Sequence, residues 1–544
     1  MWISDNLVTM GREVEDPAIP SCPRQASALR LRWGAAAFVA ILLPAVLVAF
    51  FHGDLPSLGA YHDDGVYLVT AKAIAQGKGY RIESLPDERW QTKYPPAFPI
   101  MLAAVWRLLP HFPENAVGFL ILAWLALPTL LLLQTRMLAK LEFRLASQVL
   151  AGFCILAYPG VLLYSVTLLS DLWFSCSILF AILLAERASK LDAHWKFSCA
   201  AGLGAAFAYL IRSGGIVLFP SVVGVMLFRG RWRNALAFSA VFVPAMASWI
   251  GWSVRHPHPV ADYNDIFYSS YLQYFANQKA FAGVLPRLAT HANEFLLSLG
   301  DAIIPKFLSG AVFDWFRRVV GILGVAGVAR LCWFGRAWHY AAFAALYTLE
   351  ICVWPSELYA RYMLPVLPLW IAGFLTLPRY YRPAAPGILN PQKMPVWGPV
   401  VTAMFAFCYL VQCAVCIHAA TFWRSERRAL EGAYDWIAHR VPPTASVVAF
   451  RDPLLYLYTG RHSEGLHSSV DQNGVSRILN IGEFARQRGH RYILIGPKDP
   501  EFNTNPTRIA ISEALQSDRG CRRVYSAEGA DIYDVTARQN VPPR

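Results

Sequence analysis

Charged residues are scarce in this 544-residue sequence. Asp, Glu, Lys and Arg make up 16% of it, where a soluble domain carries about a quarter. A chain that is soluble throughout is thereby excluded. Acid is scarcer than base: 36 acidic and 49 basic residues leave a formal net charge of +13. The basic residues stand in short loops beside apolar runs, a pattern of membrane topology that gives no reason to expect a nucleic-acid partner. The ten cysteines lack a framework. Eight lie in apolar runs, where cysteine behaves as a small hydrophobe. The C-x-x-C at Cys413 and Cys416 has no second pair to complete a metal or redox site. Internal repeats and low-complexity tracts are absent. Residues 1–29 are polar and show no signal-peptide cleavage pattern, so the first span is expected to be a retained anchor.

What the sequence does hold is repeated apolar runs of about 15–24 residues. They mark a polytopic α-helical membrane protein with about 11–13 transmembrane helices. Runs at 33–51, 117–135, 146–165, 172–186, 197–211, 214–228, 235–254, 319–334, 338–354, 362–378 and 396–419 put every later basic loop, from Arg136/Lys140/Arg144 to Arg379/Arg382/Lys393, on the cytoplasmic side. Segment 1–32 is then cytoplasmic, and the membrane part, 33–423, presents outer loops 52–95 and 255–318. The tail 424–544 emerges outside as a small soluble α/β domain. In it "RALEGAYDWIAHRV" has a helical period, "ASVVAF" and "RYILIG" read as buried strands, and "VYSAEGADIYDV" reads as a hairpin. The run 94–110, bounded by prolines, fits no simple crossing and reads as a re-entrant or membrane-surface segment. A crossing paired with another near 289–311 is the alternative.

The outer face carries the residues with chemistry. In "YHDDGVYLVTAKAIAQGKGY" Asp63 and Asp64 open an amphipathic helix ending near Gln76, with Val66, Val69, Ala73 and Ile74 expected on the lipid boundary. Either acid can cap the helix, but one suffices, and the other needs a further partner. "QTKYPPAFP" sets Lys93 and Tyr94 at the lip of the apolar segment, where the lysine either snorkels or clamps a lipid phosphate. Ser170 and Asp171 open a later span as cap or site. Arg212, in "AYLIRSGGIVLFP", is the sole charge of an outer hairpin and calls for a partner such as a phosphate. Glu357 and Arg361, in "PSELYARYMLPVLPLW", are spaced for a helix pair or for joint contact with substrate. Tyr263, Phe267, Tyr268, Tyr271 and Tyr274 line a groove or anchor the second loop at the interface. Acids and cations on one face, at one membrane depth, suit a substrate with a polar head and a lipid tail.

The order of "HDDGVY", "TKYPPAFPI", "PGVLLYSVTLLSD", "LIRSGG" and "LYARYMLPVLP" resembles the GT-C superfamily of integral-membrane glycosyltransferases. It looks most like the branch of protein O-mannosyltransferases and the lipid A aminoarabinose transferase, over about residues 33–378. The resemblance implies that a sugar leaves a polyprenyl-phosphate donor on the outer side of a bacterial inner membrane for a hydroxyl of a lipid, glycan or protein acceptor. It implies Asp63 as general base, Asp64 and Asp171 as further active-site acids, and Lys93 on the carrier phosphate. Tyr94, Arg212, Glu357 and Arg361 would complete substrate binding. A divalent cation is the one cofactor to consider, with Asp64 or Asp171 as its ligand. The sequence departs from the branch at that point, because Thr92 replaces the acid beside the lysine and Tyr94 parts Lys93 from the prolines.

In that chemistry a carboxylate takes the acceptor proton as the carrier phosphate leaves from the opposite face, so the sugar inverts. The rival reading is a transporter or flippase of lipid-linked sugars. Such a protein carries ionisable groups deep in its spans, and these runs are nearly free of them.

Overall fold

Each expected span falls on a helix, because long apolar runs without charge can satisfy their backbone only internally. In the computed structural model, which describes residues 23–190, 194–260, 263–277, 284–354, 360–378, 398–465, 480–497 and 505–535, the first is Pro23–Phe51. Later ones include Leu145–Ala157, Asp171–Ala188, Lys196–Ile211, Trp232–Arg255, Ala311–Trp333, Trp338–Cys352 and Leu367–Thr376. Among the described residues, three helices are long and apolar enough to cross a membrane: residues 116–140, Trp232–Arg255 and Gly398–Arg440. Shorter apolar helical stretches include Phe38–Phe51, Ala97–Leu108, Leu145–Ala157, Lys196–Ile211, Ser213–Phe228 and Leu367–Thr376. The chain forms two units, residues 1–43 and 44–544. All the geometry that follows belongs to the second.

Glycine lets these helices approach closely, as in membrane bundles. Ala311–Trp333 and Leu367–Thr376 meet backbone to backbone: a Cβ added at Gly327 would lie 2.0 Å from the Gly373 carbonyl oxygen. Trp370 Nε1 donates to the Gly321 carbonyl at 3.0 Å. This contact fixes the second helix, and with it the turn Ala360–Met363 that carries Arg361.

Two outer-face expectations change. The helix Asp63–Ala75 does end at Gln76, but it is not a lipid-boundary helix. Val66, Val69 and Ala73 are at most 1% exposed, and the opposite side is equally covered, from Asp64 to Ala71. The cover is protein: Phe98 packs edge-on to Tyr67 at 5.1 Å, and Pro453 sits over Gly65. Phe98 belongs to Ala97–Leu108. That helix has 12 residues, about 18 Å of length, too short for a bilayer core of about 30 Å.

The second change is at residue 424, where no break occurs. Gly398–Arg440 is one helix of 43 residues, so the expected domain boundary lies inside it. Its last turns pack Leu430, Ala433, Tyr434 and Ile437 on one face of a five-stranded sheet. The strands are β1 (Val447–Ala449), β2 (Ser463–Glu464), β3 (Tyr492–Ile495), β4 (Cys521–Ala527) and β5 (Ala530–Val535). Their order is β2-β1-β3-β5-β4. β1 is parallel to both neighbours, and the β4–β5 hairpin is antiparallel. The other face buries Ile481, Ala485, Ile511 and Leu515. The expected strands and hairpin are all present. Glu528 and Gly529 turn the hairpin with φ of 50° and 82°, as a tight two-residue loop requires.

Candidate active site

The two adjacent aspartates do different things. Successive helix residues point about 100° apart, so the carboxylates diverge, and the N-cap His62 forms no side-chain cap. Asp64 turns back on its own loop. Its Oδ2 accepts the Gly59 N–H at 2.8 Å and its Oδ1 the Gly65 N–H at 2.9 Å. Burial pushes its carboxyl up to about 6, against the pull of those two amides. Asp63 faces the other way. Tyr94 donates its hydroxyl to Asp63 Oδ1 at 2.5 Å, and Arg361 Nη2 donates to Oδ2 at 3.2 Å.

Two helix ends and the turn Ala360–Met363 bring the remaining groups to Asp63. Asp171 begins Asp171–Ala188, Arg212 follows Lys196–Ile211, and those two helices pack along each other. Arg212 Nη1 donates to Asp171 Oδ1 at 2.8 Å and lies 3.4 Å from Ser170 Oγ. Arg361 Nη1 stands 3.9 Å from Asp171 Oδ2. The result is an alternating row, Asp63–Arg361–Asp171–Arg212. The Tyr362 ring lies 5.5 Å from the guanidinium of Arg361 and 5.8 Å from that of Arg212. Both distances are within cation–π reach.

Lys93 completes the cluster. Its Nζ donates to the Phe267 carbonyl at 2.7 Å and sits 3.7 Å from the Phe267 ring centre. Burial pushes the ammonium down to about 8, although Asp63 pulls the other way. Burial would raise the Asp63 carboxyl, but Arg361, Lys93, the Tyr94 hydroxyl and Arg212 outweigh it and hold it below the usual carboxylate range. Three cations, Lys93, Arg212 and Arg361, thus converge on Asp63 and Asp171, a concentration of positive groups that can meet an anion.

Of the residues expected from the sequence, Asp63, Asp171, Lys93, Tyr94, Arg212 and Arg361 come together. Asp64 is beside them but engaged by backbone amides, and Glu357 lies outside the described residues. In the second outer loop, Phe267 holds Lys93, and Tyr271 packs on Trp354 at 5.4 Å. The side chain of Tyr263 is outside the described residues.

Sequence reasoning missed two nearby groups. Tyr67, one turn after Asp63, meets Ser170 Oγ at 3.2 Å and Tyr94 ring to ring at 4.8 Å. The i, i+4 spacing was the available signal. Glu350, in Trp338–Cys352, is an exception to the expectation of charge-free spans. Its Oε2 is buried and accepts no hydrogen bond among the described residues, and a Cβ at Gly214 would lie 3.4 Å from it.

The acids do not offer a divalent cation a ligand set. Asp64 is held by amides and Asp171 by Arg212. Among the described residues no three His, Cys, Asp or Glu side chains converge as a metal requires.

No protein-family model matches the sequence, and no curated protein is detectably similar. Solved structures do match. One is ArnT from Cupriavidus metallidurans bound to undecaprenyl phosphate, at 16% identity and a TM-score of 0.53, covering 94% of this chain and 99% of that one. The apo state of the same protein matches at 15% identity and a TM-score of 0.52, over 94% and 100% of the two chains. Over 94% of its length this chain shares its fold with ArnT, as the resemblance read from its motifs leads one to expect.

Proposed function

We propose that this protein is an inverting glycosyltransferase of a bacterial inner membrane, moving a sugar from a polyprenyl-phosphate donor to a hydroxyl of a lipid, glycan or protein acceptor on the periplasmic side. One observation carries the reading: the row Asp63–Arg361–Asp171–Arg212, with Lys93 beside it, sets a carboxylate base among three cations. The shared fold with a protein crystallised on undecaprenyl phosphate supports it.

The chemistry follows from the charges. A carboxylate held this acidic is a weak base in the ground state. It takes the acceptor proton only as the new glycosidic bond forms and the hydroxyl turns acidic. Lys93, Arg212 and Arg361 stabilise the departing phosphate, whose negative charge grows as its bond to the anomeric carbon breaks. The test is transfer in proteoliposomes from a panel of radiolabelled polyprenyl-phosphate sugars. Label should pass to acceptor only with wild-type protein, and label that merely changes leaflet would mark a flippase. Glu350, a carboxylate within a span, is the one observation in favour of that second reading.

Two further outcomes are expected. Donor phosphate affinity should fall as pH rises through about 8, because Lys93 there passes from ammonium to amine. The phosphodiester keeps its charge throughout, so the loss approaches tenfold per pH unit above that point. Lys93→Arg should remove this limb, and a wild-type affinity that is flat between about pH 7 and 9 would count against the contact. Chelation should leave transfer unchanged, since the acids are occupied by amides and guanidinium groups. Loss of transfer in EDTA, restored by one divalent metal, would overturn that expectation.

A further inference from the structure

The turn that aims Asp63 is held from outside the membrane helices. His62 is the middle residue of a three-residue turn closed by the Asp63 N–H to the Tyr61 carbonyl at 2.6 Å. Its φ is 58° and its ψ −51°, a conformation that is rare and strained for an L residue. Such strain persists only where surrounding structure enforces it.

The enforcing contacts come from the C-terminal domain. His62 Nε2 lies 2.9 Å from Asp452 Oδ1, and the Tyr268 hydroxyl donates to Asp452 Oδ2 at 3.2 Å. The Asp452 side chain is fully buried. The rings of Phe267 and Tyr268 flank the imidazole at 5.1 and 5.8 Å. The next two residues continue the clamp. A Cβ at Gly65 would come within 2.8 Å of Pro453, and one at Gly59, whose φ is 80°, within 3.1 Å of Leu454. Residues 452–454 therefore press on both sides of the two aspartates, and a glycine stands at each contact where a side chain would collide. A second set of contacts keeps the sheet in place: the Ser463 N–H donates to the Ser84 carbonyl at 2.8 Å, and Glu464 receives Asn264 at 2.5 Å.

We propose that Asp452, acting through His62, is a positioning residue for Asp63, so that the C-terminal domain sets the aim of the base. The proposal rests on the reading of Asp63 as that base. The acceptor hydroxyl must meet one carboxylate oxygen while the other stays on Arg361. A turn free to relax would swing Asp63 toward the orientation Asp64 now has.

The test uses the full-length protein in proteoliposomes, with His62→Ala, His62→Gln and Asp452→Asn. A Gln amide nitrogen reaches the position of His62 Nε2 and can donate to Asp452. Asn at 452 keeps only one acceptor oxygen for two donors. His62→Ala and Asp452→Asn should lower kcat by about tenfold or more, with the donor KM and the melting temperature in detergent close to wild type. His62→Gln should recover most of the kcat. Hydrogen–deuterium exchange over residues 59–68 reads the positioning without turnover. It should quicken in His62→Ala and Asp452→Asn and not in His62→Gln. An unchanged kcat, a loss that merely tracks unfolded protein, or unaltered exchange in this segment would each overturn the proposal. A wild-type protein that transfers no sugar would overturn the glycosyltransferase reading, while the exchange data still decide whether Asp452 orders the turn.

Discussion

Asp63→Asn should lower sugar transfer by about 10²–10⁴-fold, the usual contribution of a positioned general base. The Asn side chain has nearly the same shape, and its carbonyl can still accept the Tyr94 hydroxyl now 2.5 Å from Asp63. What it cannot do is take a proton. The Arg361 guanidinium retains Asp171 at 3.9 Å, so the fold should survive and donor KM should move little. Asp64→Asn is the informative contrast. Asp64 accepts two backbone N–H groups with its two oxygens, and an amide offers only one acceptor. The lost bond leaves a buried N–H facing an NH₂ group, at a cost of about 1–3 kcal/mol. Asp64→Asn should therefore lower the melting temperature first and transfer second. Measured kcat and melting temperatures for the pair decide the matter. Equal, fully active variants would return Asp63 to a structural role.

Arg361→Ala should also lower transfer by about 10²-fold or more, through a different route. Arg361 is the only side chain paired with both Asp63 and Asp171 in the described structure, at 3.2 and 3.9 Å. It is also the largest influence that holds Asp63 below the usual carboxylate range against burial. Without it two carboxylates confront each other in a site where Asp63 is 17% exposed and Asp171 3%. Burial then dominates and Asp63 rises. In wild type Asp63 is held below the usual carboxylate range and stays ionised through it, so the acid limb lies below that range. In Arg361→Ala that limb should move to higher pH, and transfer near neutrality should fall as the base protonates. Breaking a buried pair from one side also destabilises, by about 3–5 kcal/mol when burial is complete and by less here. Arg361→Lys restores the charge on a single nitrogen that cannot span both acids, so recovery should be partial. A pH–rate profile whose acid limb stays where wild type has it would remove Arg361 from this role.

Much of the architecture was legible in the sequence because it rests on local periodicity. An apolar run long enough to hide its backbone becomes helical wherever it lies, and among the described residues the runs from 117–135 to 398–419 are helical, some as two helices in succession. The strands "ASVVAF" and "RYILIG" and the hairpin at Glu528-Gly529 were readable for the same reason: alternation and turn chemistry act within a few residues. The first outer loop misled where context outweighs pattern. The face of Val66, Val69 and Ala73 looked like a lipid surface, but all three are buried, and Pro453 covers the neighbouring Gly65. No local rule connects residues nearly 400 positions apart.

The active-site residues divide the same way. Asp63, Asp64, Lys93, Asp171, Arg212 and Arg361 stood out individually, because charge at the mouth of an apolar run demands a partner. Which partner each one has was beyond the sequence. Two neighbouring aspartates are chemically identical in one dimension. Only the packed turn at His62, with Gly59 and Gly65 on one side and Arg361 and Tyr94 on the other, ties one to backbone amides and pairs the other with a guanidinium and a phenol. The sequence by itself determined that this chain enters a membrane, where its helices and strands form, and which charges need explaining. The tertiary structure alone decided how those charges pair and that residues 452–454 press on the turn beside Asp63. Pairing energies depend on distance and burial, and both are set by contacts between segments that are remote along the chain.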